Sequence, residues 1–212
     1  MLVIAIDGPG AAGKGTLARR LADHLGLDYL DSGSLYRAVA WRVLQAGADP
    51  ADPAAALAEA KRLDPADLGR PDLRTERVAR AAAIVAQFPP VRAELTDFQR
   101  RFATNPPGGR GSVIDGRDIG TVVCPQARAK LFVTASAEER ARRRTLELQG
   151  RGEKAIYAAV LEELEARDRR DRERDVAPLV AAPDARVLDT TDLGPDAAFA
   201  AALEYITGLS AD

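Results

Sequence analysis

Residues 5–16, AIDGPGAAGKGT, set glycines, one lysine and one threonine at a spacing that can cradle phosphate. Gly8, Gly13 and Lys14 fit the pattern G-x-x-x-x-G-K-[ST]. Its glycines let the backbone aim N–H groups at phosphate oxygens, and its lysine reaches the outer phosphates. The pattern then breaks: Gly15 stands where a Ser or Thr hydroxyl would ligate Mg²⁺, and Thr16 comes one residue late. The candidate phosphate-binding set is Gly8, Pro9, Gly10, Ala11, Ala12, Gly13, Lys14, Gly15 and Thr16, with Lys14 as the catalytic cation. Without a hydroxyl at position 15, a metal would be held by phosphates, water and a carboxylate elsewhere, which Mg²⁺ tolerates because it dehydrates reluctantly. Asp115, ending the apolar run SVID, is the candidate carboxylate, directly or through water; capping the next turn is its competing role.

The other conspicuous chemistry is arginine. Of the 30 basic residues only Lys14, Lys61, Lys130 and Lys154 are lysines, and the planar, always-charged guanidinium grips phosphate at two points. In ARDRRDRERD (166–175), Arg167, Arg170, Asp171 and Arg174 fall at i, i+3, i+4 and i+7, one stripe of a helix. Such a stripe either pairs with its own acids in solvent or serves as a movable arm that carries cations to phosphates. Two short motifs favour the arm. DSGSLYR puts Ser32 at a helix start and Arg37 about one and a half turns on; DGRD puts Arg117 and Asp118 just past SVID.

These residues need a scaffold, and hydrophobic patterning supplies one. LVIAI (2–6), DYL (28–30), SVID (112–115), AKLFVTA (129–135) and ARVLDT (185–190) read as strands. Helices are expected at about 14–25, from Asp31 or Ser32 to Gly47, at 74–87 and 91–103 on either side of Pro89-Pro90, and at 137–148, 153–174 and 195–207. Residues 48–72 carry four prolines and Ala-rich helical turns. Alternating strands and helices imply an α/β doubly wound parallel sheet. The phosphate loop, DSG and DGRD each follow a strand, so they should gather at the carboxyl edge where such sheets bind ligands.

Bulk properties narrow the class. The 212 residues carry a formal charge of −2, which argues against attraction to nucleic acid or acidic membrane. Cys124 is the only cysteine, expected as a small apolar residue at a strand end, and no Cys/His cluster has metal-ligand spacing. No signal peptide or membrane-spanning run is present, so the cytoplasm is expected. Asn105 is the only asparagine, so an N-K-x-D guanine-reading motif is missing. His24 is expected on the outer face of the first helix, and Trp41 and Tyr36 in a core or cleft wall.

Taken together, IDGPGAAGKGT, DSGSLYRA, FPPVRAEL, DGRDIGTVV, SAEERARRR and RDRRDRERDVAPL resemble, in that order over about residues 3–190, the bacterial cytidylate (CMP/dCMP) kinases. The resemblance implies a P-loop nucleoside-monophosphate-kinase fold: a five-stranded parallel sheet flanked by helices, with a mobile lid. It implies one kinase domain over 1–212, with a core at about 1–47, 88–136 and 176–212, an acceptor-binding region at 32–105 and a lid at 140–175. The implied reaction is transfer of the ATP γ-phosphate to CMP or dCMP, with Mg²⁺, by a monomer using no nucleic acid or membrane.

Carried over residue by residue, 8–16 form the ATP loop, and Arg37 and Arg117 grip the acceptor phosphate. Ser32, Arg92 and Asp118 read cytosine with Arg174 nearby, and Arg167 and Asp171 contact the pentose. Arg140 to Arg144 and Arg170 belong to the lid over ATP, so Lys14, Arg117 and Arg170 are the implied catalytic residues. Two departures touch the acceptor side. Ala83 stands where many relatives place a sugar-binding Ser, and only 11 residues separate Arg62 from Arg74, where many relatives insert a small antiparallel sheet. The competing readings are another small-acceptor P-loop kinase, and a nucleotide-binding regulator or RNA-binding module using the Arg-rich helices.

Overall fold

A computed structural model describes residues 1–174 and 176–209. Asp175, at the end of the expected lid, and residues 210–212, at the end of the expected core, lie outside them. The chain runs β1 (Leu2–Asp7), α1 (Lys14–Leu25), β2 (Asp28–Asp31), α2 (Ser32–Gln45), α3 (Pro53–Lys61), α4 (Glu76–Val85) and α5 (Pro89–Thr104). It continues through β3 (Gly111–Gly116), β4 (Ala129–Thr134), α6 (Ala137–Gly150), α7 (Tyr157–Arg172), β5 (Arg186–Asp189) and α8 (Pro195–Gly208). Two compact units result: Met1–Leu30 with Ala103–Asp212, and Asp31–Phe102.

The first unit is built on the sheet, whose strand order is β2-β3-β1-β4-β5. The pairs β1–β3, β1–β4 and β4–β5 are parallel, as the strand–helix alternation requires. Ile4, Ile6, Val113, Leu131 and Val133 share one face of the sheet and are buried with Leu17 and Leu21 of α1 and Ala202 and Ile206 of α8; Ala5 and Ile114, on the other face, are buried as well, so the central strands read as unbroken apolar runs. Register sets Ile6 opposite Asp115 and Asp7 opposite Gly116. The phosphate loop and DGRD therefore leave adjacent strands at one level. A second cluster, Ala141, Val160 and Leu164, joins α6 to α7 and meets Ala11 of the loop.

Helix starts follow local chemistry. Asp31 caps α2, its Oδ1 accepting from the Gly33 N–H at 2.9 Å, and Ser136 caps α6 through the Glu139 N–H at 3.2 Å. The Pro89-Pro90 pair does not merely divide two helices; both prolines lie in the first turn of α5, where the missing N–H groups have no intrahelical partner to lose. Cys124 is buried but ends no strand. Its N–H reaches the Ile119 carbonyl at 2.7 Å and closes the π-turn, Ile119–Val123, that follows DGRD.

In the second unit the shortened segment between Arg62 and Arg74 forms two 3₁₀ turns, Pro65–Gly69 and Pro71–Arg74. α2 holds them: Arg42 donates to Glu59 and Asp67, both at 2.9 Å, and the Trp41 indole N–H donates to Asp72 at 2.8 Å. The Arg70 guanidinium covers the Trp41 ring at 3.8 Å. Trp41 is half-buried between the Asp72 and Arg70 side chains. No helix among the described residues is long and apolar enough to cross a membrane.

Candidate active site

β1 ends at Asp7 and the chain turns at Gly8, whose φ is +147°. A Cβ on Gly8 would stand 1.9 Å from the Val133 carbonyl oxygen, so only glycine lets the loop leave the sheet here. Ala11 has φ +59°, a strained value for a residue with a side chain. Gly13, at φ +85°, precedes α1 and offers it no side-chain cap. The first turn of α1 therefore presents backbone N–H groups and the positive end of a helix, the usual host of a phosphate.

Lys14, Asp115 and Tyr29 meet beside this loop. Lys14 Nζ lies 3.9 Å from Asp115 Oδ2, and the Tyr29 hydroxyl donates to Asp115 Oδ1 at 3.2 Å. Asp115 is buried at the end of β3. Asp7 forms a brace the sequence reading passed over: its carboxylate accepts from the Ile119 N–H at 2.8 Å and the Gly120 N–H at 2.7 Å, tying the loop entrance to the π-turn. Burial pushes the Asp7 carboxyl up to about 6; the Gly120 and Ile119 N–H groups and Lys14 pull it down, and Asp118 pushes it up.

Arg117 sits where the loop and α7 approach each other. Its Nε donates to Asp171 at 2.9 Å and its Nη1 to the Gly116 carbonyl at 3.2 Å. A Cβ on Gly10 would lie 3.7 Å from Arg117 Nη2, so the guanidinium abuts the phosphate loop. The arginines of α6 divide into separate roles. Arg140 is 3% exposed and braces three elements, donating to the Ala135 carbonyl, the Gly10 carbonyl and Asp168 at 3.0, 3.2 and 2.6 Å. Arg143 reaches Glu139 at 2.8 Å and the Thr190 carbonyl at 2.6 Å, while the Thr190 hydroxyl donates to the Ala12 carbonyl at 3.1 Å. Arg142 and Arg144 are bound to Glu139 and Glu147 at the surface. Its bond to Arg142 holds the Glu139 carboxyl down at about 2, burial opposing it and the Arg143 bond adding to it.

The Arg stripe on α7 is shorter than its spacing predicts. The helix ends at Arg172, so Arg174 lies beyond it rather than a turn along the Arg167 face. The chain turns at Ala177, φ +54°, ahead of Pro178, and the Leu179 N–H comes back to the Asp171 carbonyl at 2.7 Å. Pro178 and its approach cannot continue a helix. Arg174 Nε donates to that same carbonyl at 3.3 Å. Arg167 and Arg170 are exposed on α7, and Arg170 Nε donates to the Ala166 carbonyl of its own helix at 3.3 Å.

The first unit thus brings together the loop, Lys14, Asp115, Arg117 and Asp171, with Asp118 opening the π-turn at Ile119–Val123. In the second unit, Ser32 is buried at the start of α2, Tyr36 follows one turn later, and the Arg92 guanidinium stands 6.0 Å from the Tyr36 ring centroid. Arg37 is half-buried on the same helix, and Ala83 is exposed on α4. His24 is exposed, as expected, and meets the Phe199 ring edge to face at 5.5 Å. The residues missed in the sequence were Asp7, Tyr29, Asp168 and Thr190. The rule that selected Asp115, a carboxylate at the end of a buried strand, also describes Asp7.

The family model described as cytidylate kinase matches residues 4–208. Proteins named cytidylate kinase from Paramagnetospirillum magneticum and Methylocella silvestris are 63% and 57% identical to this chain, over 204 and 205 residues. The alignments cover 96% and 97% of this chain and 97% and 94% of those proteins. Among solved structures, an uncharacterized protein from Eubacterium ventriosum is similar with a TM-score of 0.59 at 14% identity, covering 98% of this chain and 99% of the other. A sugar kinase from Janibacter has a TM-score of 0.50 at 16% identity, covering 98% and 95%. At these identities the structural likenesses bear on the fold alone.

Proposed function

The chain belongs to the cytidylate kinase family, and from that premise we propose that it moves the γ-phosphate of ATP onto CMP and dCMP by direct in-line transfer. The observation that carries the reading is a guanidinium set against a phosphate loop: Arg117, oriented by Asp171, lies beside Gly10. Phosphoryl transfer is chiefly positioning and charge neutralisation. Two anions must be brought together, and fixed cations at their meeting point lower that cost.

In this reading the backbone of residues 8–16 and Lys14 hold the donor phosphates. Arg37 and Arg117 hold the acceptor phosphate, Ser32, Arg92, Asp118 and Arg174 read cytosine, and Arg167 and Asp171 hold the pentose. Arg170 joins from the lid as phosphate moves. The acceptor oxygen is already anionic at pH 7, so the step requires no strong general base. Closure of the lid would exclude water that could otherwise hydrolyse ATP.

The loop fits a metal that keeps much of its water. Among the described residues no three His, Cys, Asp or Glu side chains gather as ligands, while one buried carboxylate, Asp115, stands beside Gly15 and Lys14. Asp115 would hold Mg²⁺, directly or through water, and the ion when bound would neutralise charge on the β- and γ-phosphates. Ala83 brings no hydroxyl to the sugar, so the reading takes both CMP and dCMP as acceptors. The enzyme is read as a cytoplasmic monomer acting on free nucleotides.

A coupled ADP-release assay over CMP, dCMP, UMP, AMP and shikimate tests this. CMP and dCMP should lead AMP and shikimate in kcat/KM by about 10⁴-fold, the scale at which a site built on hydrogen bonds rejects the wrong partner. AMP or shikimate as the best acceptor would overturn the cytosine assignment.

A further inference from the structure

The phosphate loop lacks the hydroxyl that usually follows its lysine, yet the place beside Gly15 is occupied. A Cβ on Gly15 would stand 3.4 Å from Asp115 Oδ2 and 3.7 Å from the Tyr29 hydroxyl oxygen. That hydroxyl donates to Asp115 Oδ1 at 3.2 Å, and Asp115 Oδ2 lies 3.9 Å from Lys14 Nζ. β2, β3 and the start of α1 thus converge on one carboxylate. The Tyr29 ring is held independently: it packs against the sheet core, and the Arg19 guanidinium lies over it at 5.0 Å.

We propose that Tyr29 is a positioning residue: beside a loop that lacks its own hydroxyl, its phenol holds Asp115 from β2. It fixes the Asp115 carboxylate so that Oδ2 faces the loop, where Mg²⁺·ATP binds. The inference rests on the assignment of Asp115 to Mg²⁺ made above. Physically, a carboxylate that rotates freely must be ordered each time it meets a metal, and a fixed hydrogen bond to its other oxygen removes that cost. Gly15 and Tyr29 then form one device. A serine at position 15 would put a second hydroxyl into the space where Tyr29 already meets Asp115, so the loop keeps glycine and borrows the phenol.

The test is calorimetric titration of ATP with and without Mg²⁺, together with the Mg²⁺ concentration giving half-maximal turnover. Tyr29→Phe should bind metal-free ATP as the wild type does. It should lose about 10-fold of the affinity that Mg²⁺ adds, the scale for removing an outer-shell partner of a metal ligand. Half-maximal turnover should need correspondingly more Mg²⁺. Gly15 has no left-handed φ, so Gly15→Ser fits the backbone; in the Tyr29→Phe background it should restore the Mg²⁺ gain.

Equal losses with and without Mg²⁺ would make Tyr29 a packing residue and overturn the inference, as would a double variant that recovers nothing. Asp115→Asn separates the two levels. If it abolishes the Mg²⁺ gain while Tyr29→Phe keeps it, the inference on Tyr29 fails alone. If Asp115→Asn keeps the gain, the assignment of Asp115 falls, and the inference with it.

Discussion

Lys14 begins α1 at the end of a loop whose glycines leave no alternative path, and its ammonium lies 3.9 Å from Asp115 Oδ2. That distance is long for a tight ion pair. The lysine stands beside the carboxylate at the helix start, the end that hosts a phosphate. Lys14→Ala should therefore lower kcat by at least ~10²-fold, the scale of one donor that acts on the transition state. Folding should survive, because alanine is a good helix former at the start of α1. Steady-state kinetics beside a thermal melt decide the matter: wild-type turnover would remove Lys14 from the mechanism. Arg117 shows a second way to ready a cation. Asp171 takes its Nε at 2.9 Å and Gly116 its Nη1, which leaves Nη2 directed at the loop beside Gly10.

At the scale of elements, the contact that governs α6 and α7 is the ion pair Arg140–Asp168, 2.6 Å long with side chains 3% and 4% exposed. Arg140 also holds the Gly10 carbonyl, so the pair links the two helices to the phosphate loop. Breaking a buried pair strands one charge. Asp168→Leu or Arg140→Met alone should cost about 3–5 kcal/mol, whereas the double variant carrying both substitutions should recover much of the loss. Urea unfolding of the four proteins gives the cycle, and additive single losses would refute the coupling. This latch also marks what the chain's pattern could reveal. The phosphate loop was legible because strand, glycines, lysine and helix lie within about a dozen residues, and DGRD because it follows a buried strand. The partners that complete the site are remote: Tyr29 reaches Asp115 across 86 positions, and Asp7 reaches Ile119 across 112. Among Arg140, Arg142, Arg143 and Arg144, no local feature says which turns inward. The end of α7 was misplaced for a related reason, since charge spacing ran on through Arg174 while Pro178 and the returning Leu179 N–H ended the helix.

For the molecule as a whole, Asp7 makes stability depend on pH in an unusual direction. The carboxyl is 4% exposed, and burial raises it from 3.8 to about 6 against the pull of two backbone N–H groups. The folded state therefore holds this proton more tightly than the unfolded chain does. Below about pH 4 both states carry it and nothing is lost; as pH climbs from there to about 6 the unfolded chain ionises first, and stability falls. Glu139 runs the other way, held down at about 2 chiefly by Arg142, so its contribution is complete above about 4.5 and is lost as pH falls toward 2. Between pH 4.5 and 6.5 the Asp7 slope should thus stand clear of the Glu139 one. The expected loss over that window is about 2 kcal/mol, from a shift of roughly two units at 1.36 kcal/mol each, most of it falling inside the window. Asp7→Asn cannot ionise. It should begin less stable, because an amide can accept from only one of the Ile119 and Gly120 N–H groups, but its urea midpoint should stay level across the window while that of the wild type drops. Parallel curves for the two proteins would mean that Asp7 is ionised throughout in the native state, and that the brace between loop entrance and π-turn is a charged one.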